Sequence, residues 1–133
     1  MAKEWVSTGF CVGFNTDRGV MLDLDNMTYH SALRTAETLL KQYRLEGFLL
    51  IRSSPKNYHV VFNRYLSWKK ITMIVCSKYE CLRWAIFKLR EGQLTLRISK
   101  KNGKDKPKIV REVGRKDKLI KDYLEVYETF KNY

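Results

Sequence analysis

The sequence predicts an α+β domain. Its antiparallel sheet is of the split βαβ type with helices on one face, and a β-hairpin return and a C-terminal helix follow. Three observations carry this prediction. Apolar runs of strand character alternate with segments of helical period in the order β-α-β-β-α-β. A turn rich in Ser, Pro and Asn joins the second and third runs, which makes them a hairpin. The chain has 133 residues, 44% of them hydrophobic and 13% aromatic, enough for the core of one domain.

The elements follow in order. Gly19-Val20-Met21-Leu22-Asp23-Leu24-Asp25 reads as a buried strand that ends on acids. Beyond it Leu33, Ala36, Leu39, Leu40 and Tyr43 fall on one helical face, with Asn26 or Thr28 as cap. After Gly47, Phe48-Leu49-Leu50-Ile51 is a second strand, Ser53-Ser54-Pro55-Lys56-Asn57 a turn, and Tyr58-His59-Val60-Val61-Phe62 a third strand. A helical stretch runs from about Ser67 to Arg90, with a break near Ser77. Leu94-Thr95-Leu96-Arg97-Ile98 alternates as a fourth strand. Asn102-Gly103 marks a turn, from which Ile109-Val110-Arg111-Glu112-Val113 returns as a fifth. Leu119, Tyr123, Leu124, Tyr127 and Phe130 share one face of the last helix. The plan is that of ferredoxin-like and RRM-like folds. It predicts a single domain over 1–133, with a core at about 19–98, a basic hairpin at about 99–115 and a helix at about 117–131. Met1 to Phe14 is short and mixed and is assigned no element.

Composition narrows the function. Lys and Arg number 26 against 14 acids, a net charge of +12, and the pI is near 9.7. Such an excess points to a polyanion partner, nucleic acid being the commonest. Mean hydropathy is −0.42 and no long apolar run occurs, so no spanning helix and no membrane role are expected. The N-terminus lacks a secretory pattern, which points to an intracellular, cytoplasmic protein. Cys11, Cys76 and Cys81 are an odd set without a CxxC pair. They read as ordinary buried thiols, and no structural zinc is expected.

Two features carry chemistry. Asp23 and Asp25 lie two apart on a strand, so both point to one face. Their mutual repulsion is relieved by a divalent cation, and hard oxygen ligands suit Mg2+ or Mn2+. A strand end with two solvated acids gives the same pattern. His59 opens the third strand, which in a split βαβ sheet neighbours the first. It can therefore lie near both aspartates, with Arg52 and Lys56 close by to meet a triphosphate. A partly buried structural histidine fits equally. Tyr58 and Phe62 face away from His59 and read as core.

The Asp-Leu-Asp strand, the helix after it, and Ile-Arg-Ser-Ser-Pro-Lys-Asn-Tyr-His-Val-Val-Phe together resemble the archaeo-eukaryotic primase superfamily, the primases and primase-polymerases. The resemblance covers residues 19–63 well and 64–100 loosely. It implies a nucleic-acid replication protein that binds a nucleoside triphosphate through a divalent metal and joins nucleotides on a template. By the resemblance Asp23, Asp25 and His59 are catalytic, and Ser53, Ser54, Lys56 and Arg97 bind the nucleotide. The family's third metal carboxylate has no counterpart on the fourth strand. Glu91, six residues before Arg97, is the nearby stand-in beside Asp23 and Asp25 as a metal ligand. A helicase or another replication subunit is the kind of protein partner implied, and an archaeal virus or plasmid the kind of source.

The region from Lys100 to Lys121 holds ten Lys or Arg and three acids. Lys100, Lys101, Lys104, Lys106 and Lys108 crowd the expected hairpin and suit a nucleic-acid backbone. Three readings stay open: a minimal nucleotidyltransferase of primase type, a non-catalytic DNA- or RNA-binding accessory protein on the same fold, and a metal-dependent nuclease using Asp23, Asp25 and His59.

Overall fold

Runs of period two form the strands of this chain, and runs of period 3.6 form its helices. The computed structural model describes residues 4–7, 11–77 and 92–133. Its strands are β1 (Glu4–Ser7), β2 (Val12–Thr16), β3 (Gly19–Leu24), β4 (Gly47–Ser54), β5 (Asn57–Tyr65), β6 (Leu94–Arg97) and β7 (Lys108–Gly114). Its helices are α1 (Tyr29–Tyr43), α2 (Trp68–Val75) and α3 (Leu119–Thr129). The strands form two antiparallel sheets, ordered β1-β2-β6 and β3-β5-β4-β7. No helix among the described residues is long and apolar enough to cross a membrane.

The larger sheet is built on β5, which lies between β3 and β4. Tyr58, Val60 and Phe62 point to one face and His59, Val61 and Asn63 to the other, and all six are buried. α1 covers the first face, with the Tyr29 ring edge-on to Tyr58 at 6.4 Å. Thr28 caps α1 by accepting from the Ser31 amide. The buried stripe of α1 is Ala32, Thr35, Ala36 and Leu39, with Leu33, Leu40 and Tyr43 at its margin. α2 packs on β3 and ends at Cys76, where the sequence predicts a break. The rest of the predicted second helix lies outside the described residues.

α3 lies on the opposite face of β5. The buried Asn63 amide donates to Asp117 at 2.9 Å, and its oxygen accepts from the Lys118 amide at 2.8 Å. α3 has no capping side chain of its own, so a strand residue caps it from outside. Tyr65 donates to Asp122 on the same face. Phe14 of β2 meets Tyr123 edge-on at 5.3 Å, which joins the small sheet to α3. Buried side chains of both sheets and all three helices form one apolar cluster.

Two predicted pairings are corrected. The β3-β5-β4 order is that of a split βαβ sheet, but the fourth predicted strand, β6, pairs with β2 and not with β3. β2 falls in the segment to which the sequence assigns no element. It offers β6 the pairs Phe14↔Leu96 and Thr16↔Leu94, reinforced by a Thr95 to Asn15 side-chain bond of 2.6 Å. The predicted hairpin return is also absent. The chain does turn at Lys101–Lys104, but β7 crosses to the far edge of the larger sheet and pairs with β4. Two facing glycines permit this: a methyl on Gly47 would collide with the Val113 and Arg115 backbone, and Gly114 has φ +74° against Glu46. Cys76 is exposed, contrary to the buried thiol expected, because it sits past the last turn of α2.

Asn63→Ala should destabilise the fold by about 2–3 kcal/mol, since two amides at the start of α3 lose their acceptor and Asp117 loses one of its donors. Urea unfolding of the variant and the wild type measures it. A loss under about 0.5 kcal/mol would mean that Asn63 does not cap α3.

Candidate active site

The register of β3 on β5 sets the site. Asp23 sits directly opposite His59, and cross-strand partners point to one face. The His59 Nε2 to Asp23 Oδ1 distance is 3.7 Å, too long for a hydrogen bond. β3 then ends, and Asn26 reverses the chain at φ +56°. This reversal is tied to the β4–β5 turn: the Asn26 amide donates to the Asn57 side chain and the Met27 amide to the Lys56 carbonyl, at 3.1 and 2.8 Å. Pro55 and Lys56 form that turn, with Lys56 at φ +64°. Asn57 also donates to Ser54 Oγ at 2.6 Å. The acidic strand end and the Ser-Ser-Pro-Lys-Asn turn therefore hold each other in place.

Arg97, at the end of β6, closes the other side. Its guanidinium donates to the carbonyls of Ser53, Ser99 and Asp105. One side chain thereby fastens β6, the β4–β5 turn and the basic loop together. Burial lowers its pKa, which Asp23 among its neighbours opposes, and it stays cationic at neutral pH.

Between these elements lies an open cleft of about 230 Å³. Asp23, Asp25, Ser53, Ser54, His59, Arg97, Lys101 and Lys104 line it, so eight of the residues singled out in the sequence meet there. Asp25 is exposed, while the Asp23 side chain is a quarter exposed. His59 is buried and its Nδ1 has no hydrogen-bond partner among the described residues. Burial, with Arg97 and Lys104 adding repulsion, holds its pKa down at about 3, so the imidazole is neutral.

Other predicted residues fall elsewhere. Lys56 is exposed on the turn and its carbonyl, not its ammonium, fastens the site. Lys100 is exposed, and its amide donates to the Tyr133 carbonyl. Lys106 turns inward: its ammonium donates to the Ile98 and Phe130 carbonyls at 2.9 Å each and sits 4.3 Å from the Tyr127 ring centre. Lys108 is exposed on β7. Glu91 lies outside the described residues. Cys11, Asn57 and Thr95 also line the cleft and were not singled out. Asn57 belongs to the turn already read. Cys11 and Thr95 arrive through the β2–β6 pairing, for which the sequence carried a weak signal in Val12-Gly13-Phe14.

Among the described residues no group of three His, Cys, Asp or Glu side chains could hold a metal ion. Asp23 and Asp25 are the carboxylates at hand, and two carboxylates suit an ion that keeps several waters and takes further oxygens from phosphate. Comparison with protein-family models, with curated proteins and with solved structures finds no match for this chain.

His59 gives the fold an acid limit. Its folded pKa lies below the ordinary 6.5, so its contribution is full above that value and is lost as pH falls toward about 3. The wild type should lose about 2 kcal/mol more than His59→Gln between about pH 7 and about pH 5. Urea unfolding at both pH values tests this, and equal losses would show that His59 is not held neutral.

Proposed function

We propose that this chain binds a nucleoside triphosphate with a divalent ion at the Asp23–Asp25 cleft and joins nucleotides on a nucleic-acid template, as the resemblance to primase-polymerases implies. The observation that carries this reading is the convergence of an acid pair, a buried neutral histidine and the cations Arg97, Lys101 and Lys104 on one cleft. Acids and cations in one cleft suit a ligand with a positive end and a negative end, and a metal-bound triphosphate is one.

In this reading Asp23 and Asp25 hold the ion, which would draw charge from the phosphates and favour in-line attack. Lys101 and Lys104 meet the phosphate tail. Neutral His59 lines the cleft beside Asp23 and adds no charge there. Arg97 keeps the turn and the loop at the spacing the ligand needs and adds its field. The 3′-oxygen bonds to the α-phosphorus, pyrophosphate leaves, and the hydroxyl proton passes to water.

A non-catalytic nucleic-acid-binding protein is the second reading. It is favoured by the count of carboxylates: among the described residues two line the cleft, where the resemblance implies three.

Calorimetric titration of a nucleoside triphosphate with Mn2+ should show binding that needs the metal. Asp23→Ala/Asp25→Ala should weaken it at least about tenfold, as removal of metal ligands does. Primer extension by the wild type should follow the same dependence. Absence of metal-dependent binding in the wild type would sink the nucleotide site. Binding without extension would leave the second reading.

A further inference from the structure

Beside the acid-paired cleft runs a second depression of about 520 Å³, between the β4–β5 turn and the loop leading into β7. The two share Ser53, Ser54 and Lys104 and so adjoin. Four cationic side chains line the second groove, Arg52, Lys104, Lys106 and Lys108, against one acid, Asp105. The ammonium of Lys106 is held by two carbonyls and a ring, as described. Arg52, Lys104 and Lys108 are exposed and make no ion pair among the described residues.

The opposite end of the larger sheet differs. There Arg64, Arg115 and Lys118 surround Glu46, Arg115 also meets Asp117 at 2.6 Å, and Lys116 meets Glu112 at 2.7 Å. Those cations have their counter-charges within the chain. The groove by contrast gathers three exposed cations with no ion pair among the described residues, and their field lines add over a concave surface.

We infer that this groove holds the sugar-phosphate backbone of a single nucleic-acid strand and reads no sequence. A concave channel takes one strand, and it adjoins the cleft. Its lining offers hydroxyls and point charges and, among the described residues, no aromatic ring on which a base could stack. Recognition then rests on phosphate neutralisation, which is blind to base identity. This assignment adds Arg52 and keeps Lys104 and Lys108; Lys106 is taken up internally, and Lys100 and Lys101 do not line the groove. The inference rests on the nucleic-acid part of the proposed function and is independent of its metal-nucleotide part.

The test is fluorescence anisotropy with labelled oligothymidylate and oligoadenylate, without nucleotide and with EDTA, at rising salt. The two strands should bind within about threefold of each other, with a log-log salt slope near −2 for about three phosphates. Arg52→Gln, Lys104→Gln and Lys108→Gln should each weaken binding to both strands and reduce the slope by about 0.7. Lys116→Gln, at the far end, should change neither. Thermal melting of each variant separates lost contacts from lost folding. The inference is overturned if the folded triple variant binds as tightly as the wild type, if Lys116→Gln weakens binding equally, if one strand is preferred more than about tenfold, or if polyglutamate competes as well as the strand does. Metal-dependent triphosphate binding without strand binding would overturn this inference and leave the nucleotide site standing. Strand binding without triphosphate binding would do the reverse.

Discussion

The pairing of β3 with β5 is the constraint on which the site and most of the fold depend. β5 is buried on both faces, so each of its side chains has a fixed duty. The even positions pack toward α1. The odd positions set His59 beside Asp23, cap α3 through Asn63 and meet Asp122 through Tyr65. Side-chain direction alternates along a strand, so a slip of one residue would exchange the two sets. Asn63 would leave α3 uncapped and the imidazole would enter the α1 interface. The two-residue turn at Pro55–Lys56 resists that slip, and so does the Phe48–Phe62 pair, ring edge to ring face at 6.0 Å. Each fully buried aliphatic or aromatic side chain of the set contributes about 1.5–3 kcal/mol, so slipping several costs more than a small domain's whole stability.

Cations serve two purposes here, and sequence position alone does not tell them apart. Arg97 and Lys106 are internal fasteners whose protons go to backbone carbonyls on separate segments. Such charge-assisted bonds are about twice as strong as neutral ones, and they replace the regular ladder that the loop between β6 and β7 lacks. With Lys106 anchored over Tyr127, and Tyr127 donating to the Pro107 carbonyl, the end of α3 supports this loop from beneath. Arg52, Lys101, Lys104 and Lys108 then project from a surface held in shape. An anchored loop loses less entropy when a ligand binds than a free one would.

The sequence showed much of this and missed a definable part. β3, α1, β4, β5, α2 and α3 were legible because each carries its own signal: a continuous apolar run, a helical stripe or a turn of fixed chemistry. The meeting of Asp23, Ser53 and His59 followed from those local signals plus one hairpin. What could not be read were the non-local pairings. β6 alternates equally well beside β3 or β2, and its choice depends on β2, a run of five residues with a glycine inside. β7 is largely exposed and weakly patterned, and Gly47 opposite Gly114 decides its place. Arg97 illustrates the limit on side-chain roles. Its chemistry suits phosphate, but its three carbonyl partners come from segments whose proximity no local pattern encodes.

These pairings also explain the electrostatic character of the cleft. A histidine near an aspartate is usually expected to share its charge, but burial holds His59 neutral, so it cannot offset Asp23. Arg97, Lys101 and Lys104 line the same cleft as the carboxylates of Asp23 and Asp25. Arg97 is held by three carbonyls, and the nearby Asp23 charge favours its cationic form. Acids and cations thus share one cleft lined by β3, β5, β6 and the loop after β6. Keeping like charges together costs stability, and a protein selected for stability alone would interleave them. A ligand that brings positive charge to the acids and negative charge to the cations lifts both repulsions at once. Metal and triphosphate together do that, whereas a bare anion or a bare cation would relieve only one.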